Sequence, residues 1–419
     1  MRPNSPYELL RIRDYRNFLS SRFLIFVGLE MQFIVIGWLL YDMTKDPLTL
    51  GIVGLCEALP ALLITPFGGH FADRHDRRTI IKWAFSALFI STVVLVITAF
   101  NMSTLGQSAA IAIIYGVVII QGCGRGFAGP AIMALAVQLV PRERLPQSTA
   151  FNSSTWQLGN IIGPAIGGLV FGFSDAPTTF LLATIILGVS LVLMLKVPSY
   201  AIDKKDQRES FKTSFFEGWR FVKGNQLVLA PIALDMFAVL FGGAVALLPV
   251  FAQDILHVGP MGLGILRTAP SIGALAMGFF LAHNPMTGKL GTKLLWAVVG
   301  FGGAMIIFAI SENVFLSYAA LMLGGSFDNI SVIIRSQVIQ LTTPDSMRGR
   351  VSAVDSMFII SSNEIGAFES GFAAKLMGTV PSVIFGGVMS ILTVAATSIL
   401  APKLRRATFE ELQEMRVHK

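Results

Sequence analysis

The sequence predicts an all-α membrane protein, with twelve transmembrane helices arranged as two pseudo-symmetric six-helix bundles. Three observations carry this. The 419-residue chain is 53% hydrophobic and 14% charged, with a mean hydropathy of +0.68, a composition that soluble domains do not have. Apolar runs of about 20 residues, long enough at 1.5 Å per residue to cross a hydrocarbon core of about 30 Å, recur along nearly the whole chain. A polar stretch near the middle, DKKDQRES, divides those runs six and six. Barrel strands are excluded because the runs do not alternate apolar with polar residues.

In chain order, the first six spans are expected at 17–43, 48–72, 79–100, 108–139, 148–173 and 177–196. The first run is longer than a signal-peptide core and has no small-residue cleavage site after it, so it should remain as a span. The second six are expected at 227–252, 260–282, 291–311, 315–341, 350–376 and 380–401. The domain plan is therefore an N-terminal six-helix bundle (1–196), a cytoplasmic linker (197–226), a C-terminal six-helix bundle (227–401) and a cytoplasmic tail (402–419). Within the tail, Thr408 and Glu411 have capping-box spacing and predict a short surface helix.

Charge sets the orientation. Most of the 32 basic residues fall at the N-terminus, in alternate loops around Arg74, Arg142, Lys204, Lys293 and Arg348, and in the tail. The loop NMSTLGQS (101–108) has none, and Lys45 is the clearest exception. The positive-inside rule then places both termini in the cytoplasm, consistent with an even number of spans. The net charge of +7 is spread over these loops rather than gathered in one module, which argues against a nucleic-acid partner. Cys56 and Cys123 lie within spans and supply neither a disulfide framework nor a metal-ligand spacing.

The halves repeat weakly at an offset of 203 residues: Pro141 with Pro344, Ala150 with Ala353, Ser153 with Ser356, Asn160 with Asn363, Gly163 with Gly366 and Gly168 with Gly371. Six-span repeats are a transporter feature. The same offset sets Arg125 opposite Asp328, and sets Glu364 and Glu369 of SSNEIGAFESG opposite Ile161 and Ile166. Those two acids therefore belong to one half only.

Two segments have motif character. In GHFADRHDRR (69–78), Gly69 permits close helix approach, Asp73 can accept hydrogen bonds at a helix N-terminus, and Arg74, Arg77 and Arg78 anchor at headgroups. The cluster reads as a conformational latch, or simply as a topology signal. The second-half loop GFFLAHNPMTGK has His283 near the expected acidic place, so any latch there is degenerate. In GNIIGPAIGG (159–168), Gly159, Gly163, Gly167 and Gly168 make a smooth packing face, and Pro164 removes a backbone donor.

These two segments resemble the loop signature GxxxDRxxRR and the span 5 signature GxxxGPxxGG of the major facilitator superfamily. The resemblance extends over the whole chain by span number and loop placement. DYRNFLSSRFL, YDMTKDPLTLGIVGL and TPDSMRGRVSA are most similar to the branch containing the enterobactin exporter and macrolide-efflux-type proteins. It implies a secondary active transporter working by alternating access. The span 5 signature implies proton-coupled antiport, that is, export; the expected cargo is an amphipathic small molecule such as a drug or siderophore, and a monomer in a bacterial-type inner membrane is the expected setting. One departure concerns the arginine that many proton-coupled members carry three residues before Gln-Gly of span 4. Here Val118 holds that place, and Arg125 lies seven residues further along nearly the same face.

Charge at membrane depth costs about 3 kcal/mol per group on insertion scales, so each such residue needs a partner, water or a function. Glu30, Arg125, Asp328 and Glu364 fall near span midpoints, Asp235 about one turn to the cytoplasmic side, and Arg22, Arg335 and Asp355 nearer the cytoplasmic ends. In the resembled fold, spans 1, 4, 7 and 10 line the central cavity. That marks Glu30, Arg125, Asp235 and Asp328 as proton-coupling or substrate candidates. Asp328 and Arg335 share one helical face, as a ladder or as a structural pair. Glu364 and Glu369 leave their helix about 140° apart and cannot form a dyad, whereas Asp355, Ser362 and Glu369 share a stripe. Either glutamate could carry the coupling proton or partner a neighbouring span.

No cofactor is expected, since neither a GxxxxGK[ST] segment nor an ATPase-sized soluble domain is present; the expected energy source is a proton gradient. The expected partners are a small-molecule substrate, protons and the bilayer. A symporter or uniporter for nutrients or lipids is the alternative within transporters. A membrane enzyme is disfavoured because His70, His75 and His283 form no HExxH and no GxSxG segment occurs. Phe237, Phe241 and Phe327 would suit an apolar or aromatic cargo, or ordinary helix packing.

Overall fold

The computed structural model describes residues 6–199 and 211–417, and among these it contains helices and no strand. The DKKDQRES stretch of the linker, Arg2 and the last two tail residues lie outside the described residues. The first half comprises α1 (Arg13–Thr44), α2 (Leu48–Arg74), α3 (Arg77–Phe100), α4 (Gln107–Gln138), α5 (Leu145–Phe173) and α6 (Ala176–Leu195). The second comprises α7 (Gln226–Ile255), α8 (Gly259–His283), α9 (Leu290–Ile310), α10 (Val314–Thr342), α11 (Arg348–Met377) and α12 (Thr379–Leu400).

Ten of these helices are long and apolar enough to cross a membrane. The other two, α5 and α11, are as long (29 and 30 residues) but are diluted by polar side chains. They are the two helices that carry the GNIIGPAIGG and SSNEIGAFESG segments; in α5 the polar residues cluster before its motif, at 147–157, whereas in α11 Ser361, Ser362, Asn363, Glu364 and Glu369 lie within it. Prolines lie inside α2, α4, α5, α7 and α8. Membrane helices tolerate this because neighbouring helices and side chains satisfy the freed carbonyls.

The chain divides into two compact units. One contains Met1–Lys45, Cys56–Arg208 and Gly259–Thr268; the other contains Asp46–Leu55, Glu209–Val258 and Ala269–Lys419. The division differs from a simple cut at the linker, because the first turns of α2 and α8 each count with the other half.

In the first unit, α1 packs on α5 and α6, and α3 packs on α4 and α6. Its core includes Tyr15, Phe18, Ile81, Phe85 and Leu135, all essentially buried. The α1/α5 seam depends on glycine. A Cβ on Gly159 would lie 2.6 Å from Phe26 Cβ, one on Gly163 2.6 Å from Glu30 Cβ, and one on Gly167 2.8 Å from Met31 Cα. Gly168 meets Gly264, at the start of α8, just as closely. The smooth face read from the sequence is thus a helix seam, centred on Glu30.

In the second unit, α9 packs on α10 and α12, and α7 packs on α11, α12 and α10. α7 is regular as far as Phe241, breaks at Gly242–Gly243, and continues through a 3-10 turn and a π-turn at Phe251–Ile255. The break abuts α11: a Cβ on Gly243 would lie 2.4 Å from Ser370 Oγ and 2.7 Å from the Gly366 carbonyl oxygen. A linker helix, Phe211–Gly224, lies along α11, stacking Trp219 on Phe358 and pairing Glu217 with Arg350. The tail forms the helix Phe409–Val417 with a reciprocal capping box, in which Glu411 N–H donates to Thr408 Oγ1 (3.3 Å) and Thr408 N–H donates to Glu411 Oε2 (3.2 Å). Leu404 and Leu412 bury it against the second unit.

The repeat is visible in the backbone. Pro141 and Pro344 have nearly the same dihedrals (φ −58°, ψ 147° and φ −57°, ψ 148°), and each is followed by a three-residue 3-10 turn and then by α5 or α11. Lys45 and His257, which follow α1 and α7, both adopt a left-handed conformation, with φ of 50° and 51°.

Candidate functional site

In the second unit, Arg335 of α10 lies almost fully buried between two carboxylates. Its Nη1 is 3.2 Å from Asp235 Oδ2 of α7 and donates a 2.8 Å hydrogen bond to Asp355 Oδ1 of α11. The Arg335 and Asp235 side chains are only 3% and 6% exposed, so this pair is removed from water, while Asp355 is 19% exposed and sits at its edge. Asp328 is two turns further along α10. It lines a small cavity with Asp235, Ser331, Phe301 and Phe327. Three helices thus bring three carboxylates around one guanidinium, and low local polarity makes each charge interaction strong.

Of the residues marked from the sequence, Asp235, Asp328 and Arg335 converge here. Asp355 completes the set; the sequence shows it only as a charge near a span end, although it falls on the same stripe as Glu369. Phe327 walls the cavity, Phe237 is partly exposed, and Phe241 packs edge-on against Phe385.

Glu364 and Glu369 lie elsewhere on α11. Glu364 faces the start of α2, where a Cβ on Gly54 would lie 3.7 Å from its Oε2, and Glu369 is half-buried beside Ser370. Near the end of the same helix Lys375 Nζ pairs with Asp46 Oδ2 at 2.6 Å.

In the first unit, Glu30 packs on Gly163 and its Oε2 lies 3.5 Å from Arg267 Nε; the Arg267 guanidinium is 4.4 Å from the centre of the Phe33 ring. Arg125 pairs with Glu57 of α2. Neither Arg267 nor Glu57 stands among the candidates drawn from the sequence, yet the criterion that marks the others, an ionisable residue within an apolar run, applies equally to both.

At the α2–α3 turn, Arg77 donates to the Ala134 carbonyl of α4 (3.3 Å), and Arg78 donates to the Leu195 carbonyl that ends α6 (2.6 Å). Cations at helix C-termini satisfy free carbonyls and complement the helix dipole. Asp73 and Arg74 are exposed and make no hydrogen bond among the described residues, and Asp76 accepts from Thr79. The close helix approach expected at Gly69 occurs one residue earlier. A Cβ on Gly68 would lie 2.5 Å from the Gly126 carbonyl oxygen, whereas one on Gly69 would meet nothing within 4 Å. Pro164 is buried within the α1/α5 seam region.

Comparison with known proteins agrees with this architecture. Residues 4–417 match the family model described as transmembrane secretion effector. The enterobactin exporter EntS of Escherichia coli O1:K1 / APEC is 25% identical over 396 residues, covering 94% of this chain and 92% of the relative. Its Citrobacter koseri counterpart is 24% identical with the same coverage. Among solved structures, a bacterial homologue of the iron transporter ferroportin in an inward-facing state superposes with a TM-score of 0.69 at 17% identity, covering 96% of this chain and all of that one. The nucleoside transporter NupG gives 0.66 at 14% identity, covering 94% of this chain and 98% of its own. At such identities the solved structures bear on the fold alone. With the family model spanning nearly the entire chain, and with multi-pass helices of this arrangement, the protein belongs to the transmembrane secretion effector family of the major facilitator superfamily and is a membrane transporter, not an enzyme.

Proposed function

We propose that the protein is a proton-driven exporter, an antiporter that moves an amphipathic small molecule of the drug or siderophore class out of the cytoplasm by alternating access. The observation that carries this reading is the cluster of Asp235, Asp328 and Asp355 around Arg335 within the spans. With more acids than bases, the cluster can gain and lose a proton while the buried Arg335 pairings remain to hold the helices. The similarity to enterobactin exporters supports the outward direction and the kind of cargo. Sorting of basic residues into alternate loops supports a bacterial inner-membrane location with both termini cytoplasmic. The protein acts as a monomer in this reading, with Glu364, Glu369 and Glu30 as further coupling or substrate contacts.

The test uses proteoliposomes with an imposed pH gradient and a catecholate siderophore or macrolide as cargo. Transport of unmodified cargo should follow the gradient, and Asp328→Asn should lose gradient-driven transport while retaining cargo exchange at equal pH. Glu364→Gln and Glu369→Gln, examined separately, assign or clear the two α11 acids. Transport indifferent to the gradient, or full coupling in all three variants, would overturn the reading.

A further inference from the structure

We propose that the Arg267 guanidinium of α8 is the anion-recognition group for cargo, binding an organic carboxylate through its two terminal nitrogens. This rests on the exporter reading for the cargo being an amphipathic small molecule, and adds the acidic group that such a molecule would carry.

The arginine is held in place but its donors are not used up. Its one ion pair among the described residues runs from Nε to Glu30 Oε2 at 3.5 Å, longer than a charge-assisted hydrogen bond of about 2.7–2.9 Å. One face of the guanidinium lies over the Phe33 ring, 4.4 Å from its centre. Glu30 and Phe33 are three apart on α1 and share a face. Because Glu30 approaches at Nε, the Nη1 and Nη2 donors are left without a hydrogen bond among the described residues. The side chain is 20% exposed, so those donors open onto accessible space. Arginines that bridge helices elsewhere in the chain differ: Arg335 Nη1 donates to Asp355 (2.8 Å) and Arg22 Nη1 to Asn152 (2.7 Å). A guanidinium set within a span is costly, and here the cost leaves a fork free to act.

Close backbone approach fixes the fork. Gly264, three residues before Arg267, meets α5 so tightly that a Cβ on it would lie 2.6 Å from the Pro164 carbonyl oxygen. Glu30 packs on Gly163 of the same helix. Arg267 and Glu30 are thus oriented by one frame before any cargo arrives, which lowers the ordering cost of binding. The planar fork matches two-oxygen acceptors, carboxylate or phosphate. Glu30 decides between them, because its negative charge opposes an incoming anion and a single charge is repelled less than two.

The test is equilibrium dialysis of the purified full chain in detergent with radiolabelled 2-naphthoate at neutral pH. Binding should saturate at one site per chain, and 2-naphthamide, of the same shape without the charge, should compete about tenfold less well or worse. Tighter competition by 2-naphthyl phosphate than by naphthoate would overturn the carboxylate assignment. Arg267→Gln should weaken binding by about tenfold or more. Glu30→Gln should tighten it by about threefold, a change of sign that loss of packing cannot produce. Absence of saturable binding in the wild-type protein overturns the proposal, as does wild-type affinity in Arg267→Gln or weaker binding in Glu30→Gln. Should Arg267→Gln fail to fold, Arg267→Lys keeps the charge without the fork, and wild-type affinity there is equally fatal. No pH gradient enters this measurement, so its failure leaves proton-driven export standing, and transport indifferent to a gradient leaves the carboxylate site standing.

Discussion

Replacing Arg335 by methionine should strongly destabilise the second unit. The substitution keeps a long flexible side chain but removes the basic partner from the Asp235 and Asp355 contacts described above, at 3.2 and 2.8 Å. Asp235, 6% exposed, then becomes a buried carboxylate without its counter-charge; Asp355, 19% exposed, retains some water. Breaking a buried pair by deleting one partner costs about 3–5 kcal/mol, and the partial exposure of Asp355 places the expectation at about 3. At about 2 °C per kcal/mol for a unit of this size, melting in detergent should fall by roughly 6 °C. Arg335→Lys should fall between, since lysine retains the charge but not the planar fork. The decisive sample is Arg335→Met combined with Asp235→Asn, which removes the stranded charge and should recover about half of the loss. A single variant melting within about 1 °C of wild type, or a double variant no better than the single, would refute the argument.

Two further outcomes follow from contacts outside that cluster. Gly163→Ala should cost about 1–3 kcal/mol, because its Cβ would lie 2.6 Å from Glu30 Cβ and 2.9 Å from the Val27 carbonyl oxygen, while Gly69→Ala, with open space around it, should stabilise α2 by up to about 1 kcal/mol; comparative melting measures both. Asp46 responds to acid: burial raises its carboxyl pKa, but the Lys375 hydrogen bond and charge, with the Leu48 N–H, bring it below the usual aspartate range. A lowered folded-state pKa gives stability that is complete above the ordinary value near 4 and is lost as pH falls through the folded value. The melting difference between wild type and Lys375→Met should therefore hold steady above about pH 5 and shrink toward pH 3, remaining under about 1 kcal/mol because both side chains are partly exposed. A difference independent of pH would count against the pair.

The span pattern was legible because crossing a membrane demands long apolar helices, and this requirement is local. The capping box at Thr408 was legible for the same reason: four consecutive residues contain the whole interaction. Side-chain partners were harder to read. Gly69 matches a motif, but the rotation of α2 presents Gly68 to Gly126, a matter of 100° that a pattern of identities does not encode. Arg267 and Glu57 are visible as charges in apolar runs, yet nothing local indicates Glu30 or Arg125 as their partners. In the sequence Asp355 is a residue near a span end, and only the packing of α11 on α7 and α10 turns it toward Arg335.

The repeat separates scaffold from specialisation. Residue 152, the first-half counterpart of Asp355, is an asparagine that accepts a 2.7 Å hydrogen bond from Arg22 of α1. In both halves, then, the first helix is tied to the fifth by a polar bridge involving arginine, which makes bridging a property of the fold rather than evidence of coupling. The additional acids have a different standing. Glu364 and Glu369 replace isoleucines, and Asp328 stands where the first half has Arg125. The α1/α5 seam, in which Gly167 meets Met31, has its inverse in the α7/α11 seam, where Gly243 meets Ser370. Each seam closes by pairing a small residue with a larger one, and neither needs a carboxylate to do so. Carboxylates that the counterpart helices lack at the matching positions, while packing in the same way, must be maintained against their burial cost for another reason. By that reasoning Asp328, Glu364 and Glu369 carry more functional weight than Asp235 and Asp355, whose bridge to Arg335 has a structural equivalent. Variants of the first three should therefore alter transport more than melting, and variants of the bridge should do the reverse.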